Sequence, residues 1–322
     1  MTVKLPRLVD SGGFKIKDKS FYVASDAEDN IQRIGSVPEL LAAIKKVKGT
    51  TKRELWFRGH RQWSWRLEPT FFRDTERYPK FSKEEIKAGN TIGQMEFELG
   101  NLEATLQVVK KVVEDRGHKT VSNSEVLLLA QHYGVDTPLL DWTTSPLVAA
   151  WFALNKASKL DPTNPPVLWL LDPQFVNTGA FYSIPPRLED GAGVDIEELF
   201  PLLHLSAKAM KQDDTPMEFP VALFSNSDFT SRIGRQSGKF TYSGPARLFR
   251  NVATGGATLG NNGERPFAPL LLDVKRAPSM MRELDILGVN EETVYGGRSI
   301  DESIEKELKD AGLRRNGKPV GP

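Results

Sequence analysis

Three stretches concentrate polar side chains of the kinds that bind or transform a ligand. The first is LWFRGHRQWSW, residues 55–65. An arginine at the end of a strand presents a planar five-donor fork to a phosphate or a ribose. A glycine beside it lets a ligand come close to the backbone. Arg58 and Gly59 have that order, with His60, Gln62 and Arg66 as further polar contacts. Taken alone, the same residues also read as the wet end of a core strand beside aromatic packing. The second stretch is QHYGVDTPLLDWTTSP, residues 131–146. Ser145 there is placed to cap a helix, Gly134 to end one, and His132 to sit at a helix C-terminus where the dipole favours it. Those roles leave Gln131, Asp141 and Thr143 unexplained. The third is SRIGRQSGKFTY, residues 231–242, where Arg232, Arg235, Gln236 and Lys239 form either an anion-binding set or the polar face of a surface strand.

The composition excludes cysteine chemistry and gives little support to several others, although carboxylates could still bind magnesium. The chain has 322 residues and no cysteine, which removes disulfides, thiolate zinc sites and a cysteine nucleophile. Its four histidines, His60, His118, His132 and His204, show no metal-ligand spacing. A nuclease built on Asp141 and glutamates would lack a recognisable ligand pattern. No G-x-S-x-G elbow, P-loop or G-x-G-x-x-G fingerprint occurs. Net charge is +1, so overall electrostatics point to neither nucleic acid nor membrane. No apolar run reaches the ~20 residues of a membrane span, and no signal peptide is evident, so the expected compartment is the cytoplasm.

The elements that hold these stretches follow from periodicity and caps. Ser36 and Glu39 form a capping box for a helix whose Leu40, Ile44 and Val47 share a face, with Gly49 as its stop. A strand then carries Leu55 and Phe57 on one side and Trp56 and Arg58 on the other. Met95, Leu99, Leu102, Leu106, Val109 and Val113 recur at steps of three and four, which predicts one helical stripe. Ser122 and Glu125 cap the next helix, which ends at Gly134. A short strand at 139–142 precedes a helix with Ser145 as N-cap and Pro146 as its first residue. The run VLWLLD, 167–172, predicts a central strand. Further strands are expected at 221–224, 239–242 and 270–274, with closing helices at 279–287 and 300–311. Residues 1–34 read as an extension with one strand near 21–24, residues 35–312 as a single domain with an insertion at 176–218 holding a helix near 196–210, and 313–322 as a loose tail. The expected fold class is α+β, with a helical N-terminal half packed on a mixed sheet.

These blocks together resemble the FRG domain family, named for its Phe/Tyr-Arg-Gly motif. The motif stands here as Phe57-Arg58-Gly59, followed by Leu67-x-Pro69 and Phe72-Arg73. AQHYGVDTPLLDWTTSPLVAAWFA is similar to the family's Q-H-x-G-x-x-T-x-L-L-D-x-T-x-x-P-x-x-A-x-x-F-A, and RIGRQSGKF to its R-I-x-x-Q-x-G-x-F. The order fits from about residue 36 to 250. Near the end, RAPSMMRELDILGVNEETVY resembles the family's closing helix, but Tyr295-Gly-Gly-Arg298 replaces its usual Phe-Pro-Asp-Leu. A second resemblance is to ADP-ribosyltransferases of the R-S-E kind. Arg58-Gly59 looks like their first element. Thr143-Thr144-Ser145 before LVAAWFA looks like their Ser-Thr-Ser and helix. Gln236 takes the third position, where no glutamate stands.

That second resemblance implies a split sheet around a cleft and NAD as substrate. It implies Arg58, Thr143 and Gln236 as catalytic residues. Gly59, His132, Tyr133, Asp141, Trp142, Thr144 and Ser145 would join Arg58 in binding NAD, with Tyr133 or Trp142 stacking on nicotinamide and Asp141 or His132 as general base. The acceptor would be a protein, a nucleic acid or water. By the same analogy the enzyme would be a toxin or phage-defence effector with an antitoxin or regulatory partner, and no membrane partner. The competing implication is a non-catalytic module that holds a nucleotide or a nucleic-acid end.

Overall fold

In the computed structural model the described residues are 7–8, 14–15, 33–48, 54–65, 67, 69–72, 91–117, 119, 122–156, 159–173, 176–177, 194–195, 199–201, 221–224, 238–242, 264–265, 267–295 and 302–313. The strands are β1 (Arg7–Leu8), β2 (Phe14–Lys15), β3 (Trp56–His60), β4 (Leu139–Thr143), β5 (Val167–Leu171), β6 (Val194–Asp195), β7 (Val221–Phe224), β8 (Gly238–Tyr242), β9 (Glu264–Arg265) and β10 (Phe267–Leu271). Among the described residues the helices are α1 (Val37–Lys48), α2 (Thr91–Asp115), α3 (Asn123–His132), α4 (Pro146–Leu154), α5 (Ala277–Ile286), α6 (Glu291–Tyr295) and α7 (Glu302–Asp310). The fold is α+β. Seven strands form the main sheet in the order β10-β5-β3-β4-β8-β7-β6, and β1, β2 and β9 pair in a small second sheet. Neighbours in the main sheet are antiparallel except β6 and β7, which makes the sheet mixed.

Alternation along the strands divides the side chains between two faces. On one face Leu55 and Phe57 pack with α1, α4 and α5, while Leu139, Phe240 and Tyr242 pack with α2, α3 and α7. On the other, Trp56, Trp142 and Trp169 form a tryptophan-rich layer with Leu140, Val167, Leu171 and Ala222. β5 is buried along its whole length, as its continuous apolar run predicts. The predicted stripe of α2 is buried at Leu99, Leu102, Leu106, Val109 and Val113.

The caps explain the helix boundaries. Ser36 accepts from the Glu39 N–H at 3.3 Å, and Glu39 reaches back to the Gly35 N–H at 2.8 Å. The Val37 N–H, left over at that end, donates to Glu283 of α5 at 2.6 Å. Ser122 accepts from the Glu125 N–H at 3.1 Å. Gly134, at φ +73°, ends α3 with the Val135 N–H donating to the Ala130 carbonyl at 2.9 Å.

Some boundaries differ from expectation. β10 begins at Phe267 rather than 270, and Val274 opens a short 3₁₀ turn because the Asp273 carboxylate accepts from the Lys275 N–H at 2.9 Å. α5 begins at Ala277 rather than 279, because Pro278 fits a helix's first turn. The stop at Gly49, the strand near 21–24, most of the helix near 196–210 and the cap at Ser299 lie outside the described residues. None of the helices among the described residues is long and apolar enough to cross a membrane.

Candidate functional site

The register of the sheet changes at its centre. β3 and β5 pair over five residues, from Trp56↔Leu171 to His60↔Val167. β4 and β8 also pair over five, from Leu139↔Tyr242 to Thr143↔Gly238. Between them, β3 and β4 register only at Phe57↔Thr143. Two well-paired halves therefore meet at one residue pair, and next to it a side chain makes the connection. Arg58 Nη1 donates to the Asp141 carbonyl at 2.6 Å and lies 3.8 Å from Asp141 Oδ2. Its Nε donates to His60 Nε2 at 2.9 Å. Accepting through Nε2 requires a neutral His60 ring with its proton on Nδ1.

Exposure within this cluster is graded. The Arg58 side chain is 5% exposed and that of Asp141 47%. The cation is the buried member and the carboxylate is the one at the surface. Gln131, in the last turn of α3, grips that carboxylate: its Nε2 donates to Oδ1 at 2.9 Å and to Oδ2 at 3.0 Å. Gln131 Oε1 in turn accepts from the hydroxyl of buried Thr137. Thr137 Oγ1 accepts from the Leu139 N–H at 3.4 Å, at the start of β4. Side chains from β3, α3 and β4 thus meet around one ion pair.

The turn after β4 is held by its own hydroxyls. Buried Thr143 accepts from the Ser145 N–H at 3.0 Å, and Ser145 accepts from the Val148 N–H at 3.3 Å as N-cap of α4. Thr144 lies half-buried between them. α4 then crosses β3 at Gly59. A Cβ there would lie 1.9 Å from the Ala149 carbonyl oxygen and 2.7 Å from the Ala153 nitrogen. The close approach that Gly59 permits is that of the helix.

Other predicted residues are placed elsewhere. Trp142 is buried in the tryptophan layer and donates through Nε1 to Thr241 Oγ1 at 2.9 Å. Tyr133 is buried against α2 and α3, with the half-buried His132 ring edge-on to it at 5.1 Å. Both aromatic rings expected to stack on a ligand pack in apolar cores. The end of the first stretch packs outward from the strand. Trp63 stacks on Trp169 at 5.7 Å and 12°, and Arg61 sits over Trp65 at 5.3 Å. Gln236, with Arg66, Arg232 and Arg235, lies outside the described residues, whereas Lys239 is half-buried on β8 opposite Trp142. Among the described residues no group of three histidines or carboxylates is arranged to hold a metal ion.

Two polar contacts had no readable signal. Asn177 inserts its amide beside β7, donating to the Ala222 carbonyl at 3.0 Å and accepting from its N–H at 2.8 Å. In the sequence it is one asparagine at the start of the expected insertion, 176–218. Thr137 stands in the second stretch as one of its hydroxyls, and only the fold brings it to Gln131.

Residues 53–162 match the family model described as FRG domain. That segment contains β3, α2, α3, β4 and α4, and therefore the whole Arg58–Asp141–Gln131 cluster. The block around Gln236 lies beyond it. No curated protein and no solved structure matches the chain.

Proposed function

We propose that the FRG domain of residues 53–162 is the ligand-facing part of an ADP-ribosyltransferase-like enzyme that uses NAD as substrate. The observation that carries this reading is the parted β3–β4 ladder, with Arg58 spanning it and Asp141 exposed at its rim. The arginine-glycine stands within β3 rather than at its end, and the hydroxyl-bearing end of β4, which leads into the cap of α4, is the second feature this reading draws on.

In this reaction the bond from ribose C1′ to the nicotinamide nitrogen breaks, and nicotinamide leaves with the electron pair. The sugar passes through an oxocarbenium-like state, as in glycoside hydrolysis. A bond from C1′ to the acceptor forms, and the acceptor's proton goes to a base. Asp141 suits both tasks this demands of a carboxylate. It places negative charge beside a developing cation, and its half-exposed side chain is open to take the acceptor's proton. Arg58 holds the Asp141 backbone and carboxylate in place. Thr143 and Ser145 hold the turn that carries them. Gln236 would orient a ribose hydroxyl or the acceptor. The acceptor is a protein or nucleic acid, and the biological setting is a toxin or a phage-defence effector with a regulatory partner.

The second reading is a module that binds a nucleotide without turning it over. Gln236 in place of a glutamate and the burial of Arg58 both favour it. Incubation with NAD separates the two. The enzyme releases nicotinamide and adds mass to an acceptor, and Arg58→Ala and Asp141→Asn lose that activity. A binding module leaves NAD intact, releases no nicotinamide, adds no mass to an acceptor and gives only a titration curve.

A further inference from the structure

The cluster contains a relay whose direction is fixed. An ionised carboxylate only accepts, so the Gln131 amide nitrogen must face Asp141, where it meets both oxygens at 2.9 and 3.0 Å, and Gln131 Oε1 is left to accept from the Thr137 hydroxyl. A flipped amide would set its oxygen against two carboxylate oxygens with no proton between them. Thr137 is itself oriented by the Leu139 N–H, at the first residue of β4. The relay thus runs from the backbone of β4, through a threonine and a glutamine, back to a carboxylate two residues further along the same strand. An ionised carboxylate is acceptor-only, with about four lone-pair positions on its two oxygens. Gln131 approaches both oxygens from α3, Arg58 lies 3.8 Å from one of them, and close to half of the side chain still faces outward.

We propose that Gln131 and Thr137 are positioning residues that hold Asp141 as an outward-facing acceptor. The group this site takes is a paired hydrogen-bond donor, such as the vicinal diol of a ribose, rather than an anion. The naming of ribose rests on the NAD reading above, whereas the relay does not. An anion would meet the Asp141 carboxylate at the rim before it met the buried guanidinium of Arg58. A diol would find two acceptor oxygens already held in place, which lowers the ordering cost of binding.

The test uses the full chain and two probes, ADP-ribose and inorganic pyrophosphate, with the Gln131 side-chain amide followed by NMR. In the unliganded protein its two protons are expected at shifted positions and slow to exchange. Thr137→Val should return them toward free glutamine, and Thr137→Ser should restore them. ADP-ribose should shift these signals and pyrophosphate should not. Asp141→Asn should weaken ADP-ribose by roughly ten- to a hundredfold, as for a lost hydrogen bond to a charged group. Free-glutamine signals in the wild type, which needs no variant to fold, would overturn the relay. Shifts by pyrophosphate equal to those by ADP-ribose, or none by ADP-ribose, would overturn the ligand class. Shifts by ADP-ribose without nicotinamide release from NAD would leave this inference standing and remove the transferase reading.

Discussion

Gly59 and Ala149 are in direct backbone contact: a Cβ on the glycine would stand 1.9 Å from the alanine's carbonyl oxygen. The obstacle is helix backbone, which cannot swing aside as a side chain would. Gly59→Ala must push α4 off β3, and such overpacking costs about 1–3 kcal/mol or more. Gly100 supplies the opposite case. It is exposed within α2, with nothing within 4 Å of an added Cβ. Gly100→Ala should stabilise by about 1 kcal/mol, the difference in helix propensity. Thermal unfolding of both variants tests the pair, and equal signs would contradict this packing.

Arg58→Met retains much of the side chain's bulk and removes its donors. The Asp141 carbonyl and His60 Nε2 then lose their partner. Each unsatisfied buried group costs about 1–3 kcal/mol. The Asp141 carboxylate loses less, because it is half in water. Urea unfolding should therefore show a loss of a few kcal/mol, and Arg58→Lys should recover only part of it, since an ammonium lacks the fork that serves both groups. Full recovery by lysine would show that charge alone matters.

Ser145→Ala removes the cap of α4, with an expected loss of about 1 kcal/mol. Thr143→Val removes the acceptor for the Ser145 N–H one step earlier. Because both hydroxyls hold the same turn, their effects should couple in a double-mutant cycle. Strict additivity of the two unfolding free energies would separate them.

The Asp161 carboxylate is held below the usual carboxylate range, first by the Thr163 hydroxyl and then by the Thr163 N–H, which donate at 2.7 and 2.8 Å. A lowered folded-state value means that the stabilisation is complete above the ordinary carboxylate range. It is lost as pH falls through the folded value. The same turn places Asn164 on Ser64, with contacts at 2.7 and 3.0 Å. Wild type should exceed Asp161→Ala in urea midpoint at neutral pH, and the gap should close on acidification. A gap that widens in acid would reverse the sign.

The elements were legible where one local signal dominated. The stripe of α2, the caps at Ser36, Ser122 and Ser145, and the apolar run of β5 each appear in the sequence as a pattern of a few residues. Arg58 and Asp141 were legible as candidates by type. Their relationship was not, because it depends on where pairing between β3 and β4 stops, and register between strands separated by some eighty residues leaves no local trace. The glycine of the motif shows the same limit from the other side. Its type announces a close approach, and only the packing of α4 tells what approaches. The buried places of Tyr133 and Trp142 follow from strand and helix alternation, yet an aromatic beside polar residues reads equally as core or as ligand platform until both faces are assigned.

Turnover of NAD at the Arg58–Asp141 cluster is the reaction we propose. The most direct measurement is nicotinamide release from NAD by the purified chain, compared with Asp141→Asn and Arg58→Ala variants shown to be folded. Release by the wild type is expected, with a loss on the order of a hundredfold or more in both variants, the scale of a removed acid–base or positioning group. No release by the wild type, or equal release by the variants, would contradict it.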